Sequence, residues 1–114
     1  MKYMLLQYGN ENAMLNLPRE EAIQIHGAYM AYTEAMKQAG AYVGNSGLRP
    51  TSEATTVRAP GGKVSVLDGP FAETKEQFAG YYLIDVPDLD AALSWAKRHP
   101  AASFGAIEVR PVWG

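Results

Sequence analysis

Apolar and polar positions along this chain follow two rhythms, one of period two and one close to 3.6. Residues 2 to 8, KYMLLQY, are apolar-rich and end at Gly9. Read as a strand, they place Tyr3, Leu5 and Gln7 on one face and Met4, Leu6 and Tyr8 on the other. Both faces are largely apolar, so the strand is expected to be covered on both sides. Gly9 to Leu17 reads as a loop. From Pro18 to about Ala39 the pattern predicts a helix. Pro18 suits the first helical position, Glu20 and Glu21 put negative charge in the first turn, Lys37 falls in the last turn, and Gly40 is the stop. Ala22, Ile23, His26, Met30, Thr33 and Lys37 keep the helical rhythm, which puts His26 on or beside the face that packs inward.

Residues 41 to 48, AYVGNSGL, read as a strand weakened by two glycines. TTVRA and KVSVLD then flank Pro60-Gly61-Gly62, which predicts a β-hairpin with a glycine-rich turn, and Asp68-Gly69-Pro70 breaks it. A polar stretch, AETKEQ, leads into a strong strand from 78 to 86. The second helix is marked by Asp88 as N-cap, by Leu89, Ala92, Leu93 and Ala96 on one stripe, and by Lys97, Arg98 and His99 before Pro100. AIEVRPV supplies a last strand. With the hairpin treated as an insertion, the order is βαββαβ, a ferredoxin-like α+β fold. Both helices then cover one face of an antiparallel sheet. The other face is bare and apolar, which predicts a homodimer through sheet-on-sheet packing.

Composition narrows the function classes. The 114 residues are 47% hydrophobic and 19% charged, enough for one domain spanning 1–114 with its own core. A net charge of -2 offers no broad attraction to nucleic acid or to an anionic membrane. An RNA-binding module of the same strand order needs a basic sheet surface and an aromatic RNP-type motif, and neither is present. The absence of cysteine excludes disulfides, thiolate nucleophiles and Cys-ligated metals. The two histidines, His26 and His99, stand 73 residues apart with no metal-ligand spacing, and no glycine-rich phosphate loop precedes a helix. No cofactor is expected. The N-terminus lacks a signal-peptide pattern and no apolar run approaches the roughly 20 residues that span a bilayer, so a soluble cytoplasmic protein is expected.

Candidate chemistry centres on His26, because an imidazole exchanges protons near neutral pH and serves as general acid or base. Asp68 is the acidic partner that could orient it, although Asp-Gly-Pro is also ordinary turn chemistry. Arg58, on the hairpin, is a candidate for holding a carboxylate or phenolate. Tyr81 and Tyr82 alternate across the sheet, so one faces the helices and Tyr81 is a candidate for contact with substrate. Glu73, Lys75 and Glu76 fit a solvated turn, and His99 fits a helix-end role.

The run Asp68-Gly69-Pro70-Phe71-Ala72-Glu73-Thr74-Lys75-Glu76, followed by Gly80-Tyr81-Tyr82-Leu83-Ile84, resembles the signature of the YCII-related proteins called DGPF-domain proteins. His26, Tyr29 and Ala39-Gly40 on the first helix, Gly47-Leu48-Arg49-Pro50, Val57-Arg58 and Val109-Arg110-Pro111 fit the same family. The resemblance implies a dimeric α+β barrel and a helix-borne histidine with an acidic partner in a small cavity. For activity it implies elimination or isomerisation of a small oxygenated molecule without a cofactor. It also implies an alternative: a non-catalytic dimeric ligand-binding or regulatory module, linked to an extracytoplasmic-function sigma factor.

Overall fold

In the computed structural model, which describes residues 1–114, β1 (Lys2–Gly9) occupies the centre of the sheet. It pairs antiparallel with β5 (Gln77–Asp85) on one side and β6 (Ala106–Pro111) on the other, and β2 (Tyr42–Gly47) adds to the far edge of β5. The sheet order β2-β5-β1-β6 is that of a ferredoxin-like α+β fold, and the sheet is open. One chain therefore does not close a barrel. No helix is long and apolar enough to cross a membrane.

The alternation expected of β1 is observed. Tyr3 and Leu5 join Tyr82 and Ile84 of β5 in a core capped by Tyr32 and Met36 from α2 (Arg19–Gln38) and by Ala92, Trp95 and Ala96 from α3 (Leu89–Arg98). On the opposite face the register sets Met4 against Leu83, Leu6 against Tyr81 and Tyr8 against Phe78. No helix covers that face, so the expectation of cover on both sides is met on one side only within a single chain.

Helix ends follow from local chemistry. Asp88 accepts from the Ala91 N–H at 2.9 Å and caps α3. Gly40, at φ +72, ends α2: its N–H donates to the Lys37 carbonyl and the Ala41 N–H to the Met36 carbonyl, the paired bonds of a Schellman motif. Pro18 lies one position earlier than expected. It is the N-cap residue, with extended ψ, and its carbonyl accepts the first helical bond from Ala22. A short helix, α1 (Glu11–Leu15), stands where a loop was expected. Its signal is visible afterwards: Asn10 accepts from the Ala13 N–H at 3.0 Å, and Glu11 sits in the first turn.

The rotation of α2 differs from the expectation. Tyr32 and Met36 are buried, with Tyr29 packed beside them, while Ile23, His26 and Met30 are exposed. The reason lies in the sheet beneath: Tyr29, Tyr32 and Met36, a stripe about 100° round the helix from His26 and Met30, are the ones that join Tyr3, Leu5, Tyr82 and Ile84 in the core.

The hairpin of β3 (Thr55–Arg58) and β4 (Ser65–Asp68) forms its own two-stranded sheet, with Val57 opposite Val66. Its turn runs through Pro60–Gly62, with Gly61 and Gly62 at positive φ. The hairpin packs closely against no other strand or helix, and the molecule measures 47 × 41 × 19 Å. The radius of gyration is 16.0 Å, against about 13 Å for a compact chain of this length.

Candidate functional site

Between α2 and the sheet lies a cavity of about 610 Å³, within the usual range for small-molecule sites. The stripe of α2 that misses the core forms its wall: His26, Met30, Thr33 and Lys37. Met14 of α1 closes one side, and Gln7, Asn45 and Tyr82 form the floor on the helix-facing side of the sheet. A sequence rhythm that predicted core thus describes the lining of a cavity, because a helix over a concave sheet presents two stripes inward and only one meets side chains.

Hydrogen bonds fix the floor. The Tyr29 hydroxyl donates to Gln7 Oε1 at 2.9 Å, and the Thr33 hydroxyl donates to the Tyr29 carbonyl at 2.8 Å. Thr33 has a single hydroxyl proton, so in its 2.7 Å contact with Tyr82 the phenol is the donor. Burial pushes the Tyr29 phenol up to about 12, with Tyr82 adding to the shift. Burial also raises Tyr82. Both phenols stay protonated near neutrality with their protons engaged by Gln7 and Thr33, so the floor holds no phenolate base. His26 makes no hydrogen bond within the chain and is the one imidazole on the wall. At the other end of the wall, Lys37 lies over the Tyr42 ring, 5.0 Å from its centroid, and Glu34 accepts from Gln38 Nε2 at 2.9 Å.

Behind the floor, His99 is 3% exposed and does not line the cavity. It caps α3, but a helix-end charge is not its role. Its Nδ1 accepts from the Ala101 N–H at 3.0 Å, so the neutral ring carries its proton on Nε2, which has no partner. The rings of Tyr29, Tyr32 and Tyr82 surround it at 5.3 to 5.7 Å. Burial lowers its pKa to about 4, and His99 is neutral at physiological pH.

Of the residues singled out from sequence, His26 and Tyr81 border the same cavity. Tyr82 turns toward the helices, and alternation sends the Tyr81 side chain to the open face of the sheet. Asp68 and Arg58 sit on the projecting hairpin, exposed, and neither lines the cavity. Asp68 ends β4 opposite Thr55, and Arg58 lies over the Phe71 ring at 4.7 Å. Glu73, Lys75 and Glu76 are exposed in the turn segment before β5. Gln7, Thr33 and Asn45 were not identified as site residues from sequence. Gln7 carried a signal: it is the polar member of the Tyr3, Leu5, Gln7 face. Nowhere do three His, Asp or Glu side chains converge in a way that could hold a metal ion.

Comparison with known proteins gives three results. The family model of the YCII-related domain matches residues 1–114. An uncharacterized protein of Rhizobium meliloti (strain 1021) is 40% identical over 114 residues, covering 98% of this chain and 92% of the relative. In structure the chain is similar to 5-chloro-2-hydroxyhydroquinone dehydrochlorinase from Burkholderia phenoliruptrix AC1100, solved in complex with 2,5-dihydroxybenzoquinone. That similarity has a TM-score of 0.54 at 17% identity and covers 100% of this chain and 94% of the other, so it is a likeness of fold. With the family model spanning every residue and the order β2-β5-β1-β6 beneath it, the chain belongs to the YCII-related domain family.

Proposed function

We propose that this chain is a cofactor-independent enzyme in which His26 moves protons on a small oxygenated ring, leading to elimination or isomerisation. The carrying observation is the position of His26: an imidazole without an internal partner on the wall of a cavity of about 610 Å³ with a neutral, hydrogen-bonding floor. The imidazole takes a proton from a carbon next to a carbonyl, and the bonding pair becomes an enolate. That pair then expels an anionic leaving group, or it is reprotonated at another carbon by the imidazolium. The likeness in fold to a dehydrochlorinase fits such chemistry.

The working form in this reading is a homodimer. The uncovered sheet face carries Met4, Leu6, Tyr8, Phe78, Tyr81 and Leu83, an apolar surface suited to a second copy. In this reading Asp68 and Arg58 act on a second copy from the hairpin, an element that packs closely against no other strand or helix of its own chain. A non-catalytic ligand-binding module is the second reading. One observation favours it: no acidic side chain bonds His26 within a chain.

Chloride release from 5-chloro-2-hydroxyhydroquinone separates the two. The enzyme reading expects turnover that His26→Asn lowers by roughly 100-fold or more. Binding of 2,5-dihydroxybenzoquinone without turnover of any chlorinated or lactone analogue favours the module.

A further inference from the structure

Two carboxamides reach the cavity with their oxygens already engaged. Gln7 is 8% exposed, and its Oε1 accepts from Tyr29 at 2.9 Å. Asn45, on the edge strand, repeats the arrangement: its Oδ1 accepts from the Tyr42 hydroxyl at 2.6 Å. In each case a tyrosine fixes the amide so that its NH₂ group is the end left for a ligand. The neighbouring hydroxyls are not free to donate, since Tyr29 serves Gln7, Tyr82 serves Thr33 and Thr33 serves the Tyr29 carbonyl.

We infer that Gln7 and Asn45 form a pair of N–H donor sites for two oxygens on opposite sides of one ring, each aligned by its own tyrosine. This rests on the proposed reading of the cavity as a site for small oxygenated rings and names what holds them there.

The spacing agrees with that ligand class. Gln7 pairs with Gly80 and Asn45 with Tyr82, so β5 lies between the two carboxamides, with a two-residue offset along it. Two strand spacings and two residues of rise place their backbones about 12 Å apart. Carboxamides that rise in parallel from one face keep about that separation, and two hydrogen bonds of about 2.9 Å each then leave about 6 Å between the ligand's own acceptors. A single six-membered ring with para oxygens spans that gap. Such donors matter most when charge gathers on oxygen, as in an enolate or quinone anion, because they need no reorientation as it forms. A ring with a single oxygen would leave one of the two amides without an acceptor, and a fully apolar ring would leave both.

The test is a titration with 2,5-dihydroxybenzoquinone, following binding by calorimetry in the unaltered chain and in Gln7→Glu, Asn45→Asp and Tyr29→Phe. Replacing a donor amide by an acceptor carboxylate is expected to weaken binding at least tenfold at each position. Tyr29→Phe, which leaves Gln7 in place but frees it to turn, is expected to weaken binding several-fold and to be rescued by no change at Asn45. Asn45 lies on an exposed edge, so its variant reads the proposal even where Gln7→Glu fails to fold. Binding by the unaltered chain that neither Asn45→Asp nor Tyr29→Phe changes by more than twofold overturns the donor pair and leaves the cavity reading standing. Absence of binding by the unaltered chain overturns both.

Discussion

The hydroxyl of Tyr32 on α2 donates to the backbone carbonyl of Trp95 on α3 at 2.6 Å, and the two aromatic rings meet edge to face at 5.9 Å. This bond joins the two long helices across the core, where burial and the neighbouring Tyr82 raise the Tyr32 phenol far above its ordinary range. The Trp95 carbonyl belongs to the last turn of α3, where helical N–H donors are lacking, so Tyr32 supplies a partner that water cannot. Tyr32→Phe keeps the ring and removes only the donor. It is expected to cost about 1–3 kcal/mol, the penalty for a buried acceptor left unpaired. Urea unfolding of the variant checks this, and an unchanged midpoint would show that water reaches the carbonyl.

His99 predicts a dependence of stability on acid. Its pKa falls from about 6.5 in an unfolded chain to about 4 in the fold, because burial disfavours the charged ring. The group is depressed on folding, so its contribution is complete above the unfolded value and is lost as pH falls from about 6.5 toward 4. Below that window the unfolded state gains roughly 3 kcal/mol from this one residue. His99→Asn retains an acceptor for the Ala101 N–H and cannot charge. Unfolding free energy measured from pH 7 to pH 4 should fall less steeply in the variant than in the unaltered protein. Parallel curves would assign the acid sensitivity to carboxylates instead.

Two glycines make opposite predictions under the same substitution. A Cβ at Gly80 would stand 2.7 Å from the Ser46 carbonyl oxygen and 3.1 Å from the Gly47 Cα, both backbone atoms of the strand beside it. Gly80→Ala therefore forces β2 away from β5 at the cavity floor, at a cost of roughly 1–3 kcal/mol. Gly27, inside α2, has nothing within 4 Å of a built Cβ. Gly27→Ala is expected to stabilise by about 1 kcal/mol, since glycine carries an entropic penalty in a helix interior. Thermal melts of the two variants should move in opposite directions, and a stabilised Gly80→Ala would rule out the close approach of the strands.

Much of the architecture is legible in the sequence because alternation and end signals are local. Tyr3, Leu5, Tyr82 and Ile84 reveal their inward face by period two, and Asp88 and Gly40 mark helix boundaries by their own hydrogen-bonding chemistry. The orientation of α2 is not legible in that way. His26, Met30, Thr33 and Lys37 satisfy the helical period as well as Tyr29, Tyr32 and Met36 do, and only the shape of the sheet beneath decides which stripe packs and which lines space. His99 is a similar case: a histidine before a proline at a helix end reads as surface, and its burial depends on three tyrosines from two other elements. The relation of His26 to Asp68 depends on where the hairpin goes, which the residues between them do not encode locally.

The hairpin yields the last prediction. Val57 and Val66 are directly opposed on one face and about 60% exposed, and Leu67 on the other face is equally open. A two-stranded hairpin is marginal in water without something to pack against. Here each face carries exposed apolar side chains and the hairpin packs closely against no other strand or helix, so the proposed homodimer is expected to cover it. Val57→Lys with Val66→Lys should weaken self-association, shifting the mass seen by light scattering toward one chain at low micromolar concentration. The four-stranded sheet and its core do not touch these residues, so the variant should keep its near-ultraviolet spectrum. Leu83→Arg on the open sheet face is the independent probe of sheet-on-sheet packing. If only Leu83→Arg dissociates the dimer, the hairpin lies outside the interface, and Asp68 and Arg58 with it. If the double lysine variant alone dissociates it, the sheet faces do not meet and the hairpin is the joint. Loss of the dimer in both places the hairpin and the sheet in one continuous interface, the arrangement that lets Asp68 act on a cavity it does not reach within its own chain.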